Sequence, residues 1–387
     1  MNEHTTHVAM DDSKRTIVLG ILRPQATEPE LRSIPNEPRH VRRCFERLQR
    51  EGQVVACYEA GPAGYDLYRQ LTALAVPCQV IAPALTPRKP GDRIKTDRRD
   101  AAKLVRLFRA GELTPIRVPD EAGEAVRDLV RCREDVQEDL RRWRHRLVKF
   151  LARHGRVYRA GRHWTQRHWT WLRGQHFALP ALDRTYQEYR WTVEQLLTRR
   201  ADLDQAIAAV AETEPYRQSV GWLRCFRGID TLGAMILLVE IGDFQRFQTP
   251  RELMAYLGLV PSEASSGERE RRGSITKAGN THARRILVEA GWAYRHPPRL
   301  AGSLAQRSQG QPPAIRAQAW RAQQRLHRRY RHLVGHGKRA PVAVVACARE
   351  LIGFLWAALT QAVPVAQAAS RTHPQHGEVS REHVRAS

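Results

Sequence analysis

Short apolar runs rich in β-branched residues alternate with segments of helical spacing throughout the first 118 residues. Runs of the first kind predict strands at 16–22, 54–58 and 79–82, and the spacing predicts helices at 39–51, 65–75 and 97–109. Strands that alternate with helices are typical of α/β folds with a largely parallel sheet. The sequence therefore predicts an α/β domain over residues 1–118, with a loop rich in proline, glycine and charge at 88–95.

Residues 119–219 have the pattern of long helices instead. Glycine and proline are scarce between 121 and 150, where charges of both signs alternate with apolar residues, and a second helix is predicted over 186–212. Together they predict an antiparallel helical hairpin or a coiled coil. We expect this segment to be a linker that carries a basic, tryptophan-rich insertion.

The remaining sequence predicts a mainly α-helical part. We expect a domain over residues 220–300, a basic helical extension over 301–365 and a disordered polar tail over 366–387. The apolar stretch at 342–363 is interrupted by Arg349 and Glu350. This interruption favours a buried or amphipathic pair of helices over a membrane span.

The charge and the cysteines limit the possible partners. The chain has 64 Lys+Arg against 40 Asp+Glu, a formal net charge of +24, which favours a polyanion such as nucleic acid. The six cysteines form no C-x-x-C pair, so we expect neither a structural zinc site nor a disulfide framework. The first twelve residues are polar and lack the apolar core of a signal peptide. We therefore expect a cytoplasmic protein with no membrane partner.

Two basic segments contain residues suited to nucleic acid. Between 140 and 182 there are eleven Lys/Arg and no acid, and five of the nine tryptophans lie in or beside this stretch. Arginine and lysine neutralise phosphates, and tryptophan faces stack on unpaired bases. The candidates are Arg141, Arg142, Arg144, Lys149, Trp164 and Trp169 here, and Arg325, Arg328 and Arg329 in the second segment, at 316–339. The alternatives are tryptophans that fill a helical core and a basic face that only meets solvent.

Four acids stand at the ends of predicted elements. Asp11 precedes the run at 16–22, Glu59 follows the run at 54–58, and Asp97 and Asp100 begin a predicted helix. Mg²⁺ prefers oxygen ligands, and a pair of ions can hold the attacking and leaving oxygens of a phosphodiester. The alternative is that Asp97 and Asp100 pair with Lys95, Arg98 or Arg99 on a solvated face, since such pairs are common on helices.

These acids resemble the acidic tetrad of the IS110-type DEDD transposases, through "AMDDSK", "CYEAG" and "KTDRRDA". The segments "FRGIDTLGAMILLVEIGDFQRF" and "LMAYLGLVPSEASSGERERRGSITKAGNTHARRILVEA" are similar to the second domain of that family. The resemblance covers about residues 6 to 296. It implies a RuvC-like domain of the ribonuclease H type, with helices on a mixed sheet, in which Asp11, Glu59, Asp97 and Asp100 hold one or two Mg²⁺ ions that Mn²⁺ can replace.

The resemblance also implies a serine nucleophile that forms a phosphoserine link to DNA. Ser266 is the candidate, with Ser265 as the fallback, and the nearby cations are Arg269, Arg271, Arg272 and Lys277. Without the resemblance this loop would be interpreted only as flexible. Upstream, Gly228 and Gly233 flank a turn similar to a helix-hairpin-helix, whose backbone N–H groups could bind phosphate, although a plain helix connection is the alternative.

The family further implies the partners. They are double-stranded donor and target DNA, a structured guide (bridge) RNA, and further copies of the chain as a dimer and a synaptic tetramer at a prokaryotic nucleoid. The expected function is that of an insertion-sequence transposase or recombinase. Two alternatives remain open: a RuvC-like nuclease that hydrolyses branched DNA with water, and an inactive nucleic-acid-binding derivative.

Overall fold

A computed structural model describes residues 4–87, 96–263 and 272–360. The packing divides the chain after Ala122 into two units. The first unit holds the predicted α/β domain. The second holds the predicted linker and all of the described C-terminal helices.

A mixed five-stranded sheet forms the first unit. Its strands have the order β3-β2-β1-β4-β5 and are β1 (Thr5–Asp12), β2 (Thr16–Leu22), β3 (Glu30–Pro35), β4 (Gln53–Glu59) and β5 (Cys78–Ile81). β1, β4 and β5 run parallel, whereas β1–β2 and β2–β3 are antiparallel. The prediction of a largely parallel sheet is therefore wrong for β2 and β3. Only residues 13–15 join β1 to β2, too few for the crossover that a parallel pair needs.

Three helices cover the two faces of this sheet. α1 (Pro38–Glu51) and α2 (Asp66–Ala73) share a core with Val8, Met10, Ala56 and Tyr58. α3 (Asp97–Ala110) packs on the opposite face, where Leu104 and Val105 contact Ala9 and Cys57. Since side chains alternate along a strand, neighbouring residues of β1 and β4 belong to different cores. The mixed sheet between helices agrees with the fold that the resemblance implies.

The second unit begins with the predicted helical hairpin. α4 (Glu121–Arg153) and α6 (Pro180–Ala211) are the long helices, and the short α5 (Gln166–Arg173) lies between them in the chain. Arg133 bonds Asp204 near one end and Trp143 contacts Tyr189 further along, so the helices run antiparallel. The hairpin is confirmed. Its coiled-coil character stays a prediction.

The rest of the second unit is one helical core. It contains α7 (Tyr216–Leu223), α8 (Thr231–Ile241), α9 (Pro250–Tyr256), the strands β6 (Pro261–Glu263) and β7 (Arg272–Ile275), α10 (Thr281–Gly291), α11 (Gly302–Ser308), α12 (Pro313–Gly335) and α13 (Ala340–Thr360). Met235 of α8, Leu287 of α10, Leu326 of α12 and Leu351 of α13 belong to the same apolar cluster. The predicted boundary at residue 300 therefore has no counterpart in the packing. The predicted tail at 366–387 lies outside the described residues.

α13 is a single helix rather than the predicted pair. Within the described chain it is the one helix long and apolar enough to cross a bilayer, with a mean hydropathy of 1.9. Half of that apolar window is buried inside the protein. Core helices of soluble proteins share these properties, so α13 is weak support for a membrane span, and its residues Cys347, Leu351 and Leu355 are core residues.

Candidate functional site

Asp11 and Glu59 lie at the carboxyl ends of two adjacent parallel strands. In the β1–β4 register Met10 pairs with Tyr58, and Asp11 and Glu59 are the residues that follow this pair. Asp11 comes two residues after Ala9, and Glu59 comes two residues after Cys57, and both Ala9 and Cys57 face α3. Because residues two apart in a strand share a face, Asp11 and Glu59 lie on the face that α3 covers. Asp11 lies inside β1, a strand that the apolar runs of the sequence did not predict.

The two carboxylates have different surroundings. Asp11 is half-buried, whereas Glu59 is exposed and its Oε1 accepts a hydrogen bond of 2.7 Å from the Thr86 hydroxyl. No feature of the sequence marked Thr86 as a partner. The next acid, Asp12, accepts a 2.7 Å hydrogen bond from Asn36. Burial raises the pKa of Asp12, and the Asn36 bond opposes that rise in part.

Asp97 and Asp100 lie in the first turn of α3, as predicted. The Thr96 hydroxyl caps this helix by accepting from the Arg99 backbone N–H, and the helix dipole favours acids at this end. Asp100 is half-buried, while Asp97 is exposed and lines a groove beside β2 and β3. The structure thus brings the first turn of α3 to the face that contains Asp11 and Glu59.

A close backbone contact fixes this placement. An added Cβ on Gly20 of β2 would lie 2.6 Å from the carbonyl oxygen of Ala101, the residue after Asp100. Gly20 pairs with Ala9 in β1, two residues before Asp11. Only glycine leaves room for such an approach of helix to strand.

The four candidate acids are chemically suited to bind a hard divalent cation. The four candidates are all carboxylates, and Mg²⁺ takes oxygen ligands, commonly one or two from the protein with the rest from water and phosphate. They do not form a closed cage: within 4–87, 96–263 and 272–360, no three Asp, Glu, His or Cys side chains are close enough to hold a metal ion. The arrangement therefore suits a cation that shares its coordination with a substrate.

The predicted serine loop lies largely beyond the description. Ser265, Ser266, Arg269 and Arg271 lie outside the described residues, as does the side chain of Arg272, the first residue of β7. Lys277 is exposed, with a positive φ of 57°, and its backbone N–H donates to Gly258. The structure therefore describes the base of the β6–β7 hairpin.

Two contacts that the sequence did not suggest anchor that base to the core. The Arg284 guanidinium of α10 donates 2.9 Å hydrogen bonds to the carbonyls of Leu257, which precedes β6, and of Ala278, which follows β7. Asn280 caps α10 and also donates to Glu240 of α8 at 2.6 Å. Because these partners are up to 40 residues apart, spacing along the chain gave no signal for them.

Glu240 is the buried centre of this anchor. Arg131 of α4 forms two hydrogen bonds to its carboxylate, at 2.7 and 2.9 Å. Burial by itself raises the pKa of Glu240, but the bonds from Arg131 and Asn280 outweigh burial and hold that pKa below its ordinary value. Nearby, Glu134 of α4 bonds His282 and Arg285, so an ionic contact also joins α4 to α10.

The phosphate-binding role predicted for Gly228 and Gly233 is not supported by their surroundings. The N–H of Gly233 already donates to the Asp230 side chain at 2.7 Å, as part of the cap of α8. Gly228 has φ +88° and packs against the backbone of Ala290, so that an added Cβ would lie 2.7 Å from the Ala290 carbonyl oxygen. This turn is therefore a packed helix connection, the alternative that the sequence left open.

The basic candidates of the hairpin differ in their availability. Arg141 and Arg142 are exposed but pair with Glu138, at 3.5 and 2.6 Å, and Lys149 is exposed. The Arg144 guanidinium lies over the Trp164 ring, 4.7 Å from its centroid. Trp169 is buried in the core of the α4–α6 hairpin and is not placed to stack on a base, and the neighbouring His168 is buried as well.

The second basic segment, within the predicted helical extension, forms an amphipathic helix. α12 buries Ile315, Ala319 and Leu326 and exposes its arginines. Arg325 and Arg329 share Glu350 of α13 at 2.9 and 3.3 Å, while Arg328 is exposed. The binding role of these arginines stays a prediction.

Comparison with known proteins gives two family matches. Residues 222–302 match the "Transposase IS116/IS110/IS902 family", and residues 8–155 match a transposase family of the DEDD, IS110 type. The transposase for insertion sequence element IS1533 of Leptospira borgpetersenii is 36% identical over 332 residues, 84% of this chain and 96% of that protein. Protein y4qE of Sinorhizobium fredii, whose name assigns it provisionally to the transposases, is 46% identical over 323 residues, 83% of this chain and 80% of that protein.

Proposed function

The chain belongs to the IS116/IS110/IS902 family and is an insertion-sequence transposase, and from this premise we propose that it cuts and rejoins DNA through a serine nucleophile with the assistance of Mg²⁺. The observation that carries the proposal is the convergence of Asp11, Glu59 and the first turn of α3 on one face of the sheet. Carboxylates at adjacent strand ends are suited to bind a cation together with a phosphate.

Asp11, Glu59, Asp97 and Asp100 would hold the cation. When bound, Mg²⁺ (or Mn²⁺) would stabilise negative charge on the phosphate that reacts. The half-buried Asp11 and Asp100 are the stronger candidates for direct ligands, because burial limits competition from water. Thr86 would orient Glu59 through the hydrogen bond that the two side chains make.

The serine carries out the covalent step in this proposal. The Oγ of Ser266, or of Ser265, attacks a DNA phosphorus, the bond from phosphorus to the 3′-oxygen breaks, and that oxygen receives the proton that the serine loses. The 3′-hydroxyl of the partner strand then attacks the phosphoserine, the bond from phosphorus to Oγ breaks, and the serine regains a proton. No energy-rich cofactor is needed, because the phosphoester bond is conserved throughout. Arg284 and Asn280 would position the hairpin that carries these serines.

The partners in this proposal are double-stranded donor and target DNA and a structured guide RNA. The net charge of +24 suits a large polyanion, and base pairing would select sequence while the protein binds backbones. A dimer built through the helical hairpin of α4 and α6, in a coiled-coil arrangement, and a tetramer at the synapse would bring the strands together. The site of action would be the nucleoid in a prokaryotic cytoplasm.

A covalent trap tests the serine step. Purified protein is incubated with Mg²⁺, guide RNA and suicide DNA substrates, and adducts are counted after denaturation. The expected result is an adduct with the wild type, none with Ser266→Ala, and an unchanged adduct with Ser265→Ala. Adducts lost only in Ser265→Ala would identify the fallback residue as the nucleophile.

The same experiment separates the alternatives. A hydrolytic nuclease would release free 5′-phosphate ends without an adduct, and Ser266→Ala would cut as well as the wild type. An inactive binding protein would cut nothing under any metal. Full strand exchange by Ser266→Ala and Ser265→Ala together would refute the serine mechanism.

A further inference from the structure

A pocket of about 370 Å³ lies between α4 and the loop that precedes α5. Its walls include Val148 and the Trp164 indole, and its basic side chains are Arg141, Arg144, His145 and His163. None of these described side chains is acidic. The pocket thus combines an apolar interior and an aromatic wall with positive charge.

Trp164 is held in this wall by a strained backbone. Its φ is +66°, in the left-handed region that bulky side chains rarely adopt. The conformation is stabilised by a 3.0 Å hydrogen bond from the Trp164 backbone N–H to Nδ1 of the buried His168, whose ring also contacts the indole. Strain of this kind persists where the surroundings enforce it and is common at binding sites.

Arg144 brings positive charge to the pocket that its surroundings leave uncompensated. Its guanidinium lies 4.7 Å from the centre of the Trp164 ring, and its Nε is buried without a hydrogen-bond partner. Within the described part of the chain it forms no ion pair with a carboxylate. Burial, and then the like charge of Arg200, lower the pKa of Arg144. A bound anion would relieve this repulsion.

We propose that the pocket binds one unpaired nucleobase of a single-stranded nucleic acid. The base packs against the Trp164 indole, and its phosphate contacts Arg144 and Arg141. Aromatic faces stack on any base, and adjacent guanidinium groups bind the phosphate. A nucleotide therefore uses both the indole wall and the positive charge of the pocket, whereas a simple carboxylate ligand would use only the charge. The inference rests on the proposed function, because it requires that the chain handles nucleic acid.

Binding by matched tryptophan variants tests the pocket. The full chain, Trp164→Ala and Trp191→Ala are titrated with fluorescein-labelled oligouridylate, oligothymidylate and a blunt DNA duplex. Trp191, on α6, is 54% exposed and does not line the pocket, so it controls for the loss of an indole elsewhere. Stacking of one base predicts a loss of roughly 5- to 150-fold with Trp164→Ala. That loss should affect single strands and spare the duplex.

The two single-stranded probes distinguish the source of the base. A loss confined to oligouridylate assigns the pocket to RNA, and an equal loss on both assigns it to any single strand. An equal loss on the duplex, or the same loss with Trp191→Ala, overturns the proposal. Arg144→Gln should lower the salt dependence of binding by about one phosphate contact, whereas Trp164→Ala should leave the salt dependence unchanged.

A measurement on the wild-type protein covers the case in which Trp164→Ala fails to fold. Single abasic sites are moved along an oligonucleotide that the protein protects, and binding is measured at each position. An abasic site at one position should lower the affinity by about the factor expected for Trp164→Ala. Equal affinity with the abasic site at every position overturns the proposal. The Asp100→Asn variant separates the proposed function from the proposed pocket. Its cleavage activity tests the proposed function, and its binding to the abasic oligonucleotides should match that of the wild type.

Discussion

An added Cβ on Gly20 of β2 would lie 2.6 Å from the carbonyl oxygen of Ala101 in α3, so strand and helix meet backbone to backbone. This contact sets the distance between α3 and the strands that hold Asp11 and Glu59. The carboxylates of three separate elements therefore depend on one residue that has no side chain.

Gly20→Ala should move α3 away from the sheet. Overpacking of this kind costs about 1–3 kcal/mol, so we expect a lower thermal midpoint and a larger loss of Mg²⁺-dependent cleavage than the stability change explains. Gly335→Ala is the control, because no atom lies within 4 Å of its added Cβ. Gly20→Ala protein with wild-type cleavage would show that the close contact does not position the acids.

Asp100→Asn and Asp11→Asn should each reduce cleavage by about 100-fold or more, the scale seen when one electrostatic group is removed from an active site. The unfolding midpoint should change little for the half-buried Asp100, which lies in the first turn of a capped helix. Glu46→Gln is the control, since its pairing with Arg42 is exposed and of small energy. Calorimetric titration with Mg²⁺ provides the second measurement: weakened Mg²⁺ binding is expected for both aspartate variants, and unaltered binding would exclude a ligand role.

Arg284→Ala should loosen the base of the β6–β7 hairpin. Two backbone carbonyls lose a charged donor, and hydrogen bonds to charged groups contribute about 1.5–3 kcal/mol. We expect slower adduct formation at saturating DNA with DNA affinity nearly unchanged, and a partial recovery in Arg284→Lys. Arg251→Ala, an exposed position on α9, is the control. Equal losses of affinity and rate would indicate general unfolding rather than a positioning role.

The stability of the α4–α6 helical hairpin should depend on pH through His168 of α5. Burial lowers the pKa of His168 to about 4, and the positive charge of His163 adds to the effect. The unfolded chain binds a proton near the ordinary value of 6.5, so the unfolding free energy should fall as pH drops from about 6.5 to 4, by at most about 1.4 kcal/mol per pH unit. Above pH 6.5 this contribution is fully present. Urea unfolding at several pH values measures it, and His168→Gln should flatten the dependence.

The sequence predicted the elements with strong periodicity and missed the strands that contain several polar residues. β1 begins Thr5–Thr6–His7 and β3 is charged, so neither formed an apolar run, yet both are strands of the sheet. The three-residue connection after Asp12 could have indicated the antiparallel pair. The order of the acids predicted that they lie toward one edge of the sheet, where strand ends and helix starts meet, and a shared metal site there stays a prediction.

The contacts that complete the candidate site were beyond prediction from spacing. Arg131, Glu240 and Asn280 come from three separate parts of the chain, and only the folded core brings them together. The surroundings of Gly228 and Gly233 do not favour phosphate binding, for a related reason. A glycine serves close packing and caps as readily as it serves a ligand, and the sequence alone does not distinguish these uses.

The packing of α13 against α9, α10 and α12 has a practical consequence for anyone who divides this chain. A fragment cut after residue 302, where the family match ends, would lack the helix that covers α9 and the apolar side of α10. Such a fragment should precipitate on expression. The segment that matches the family is thus shorter than the segment that folds as a unit. A soluble version of the C-terminal half must keep the chain through Thr360.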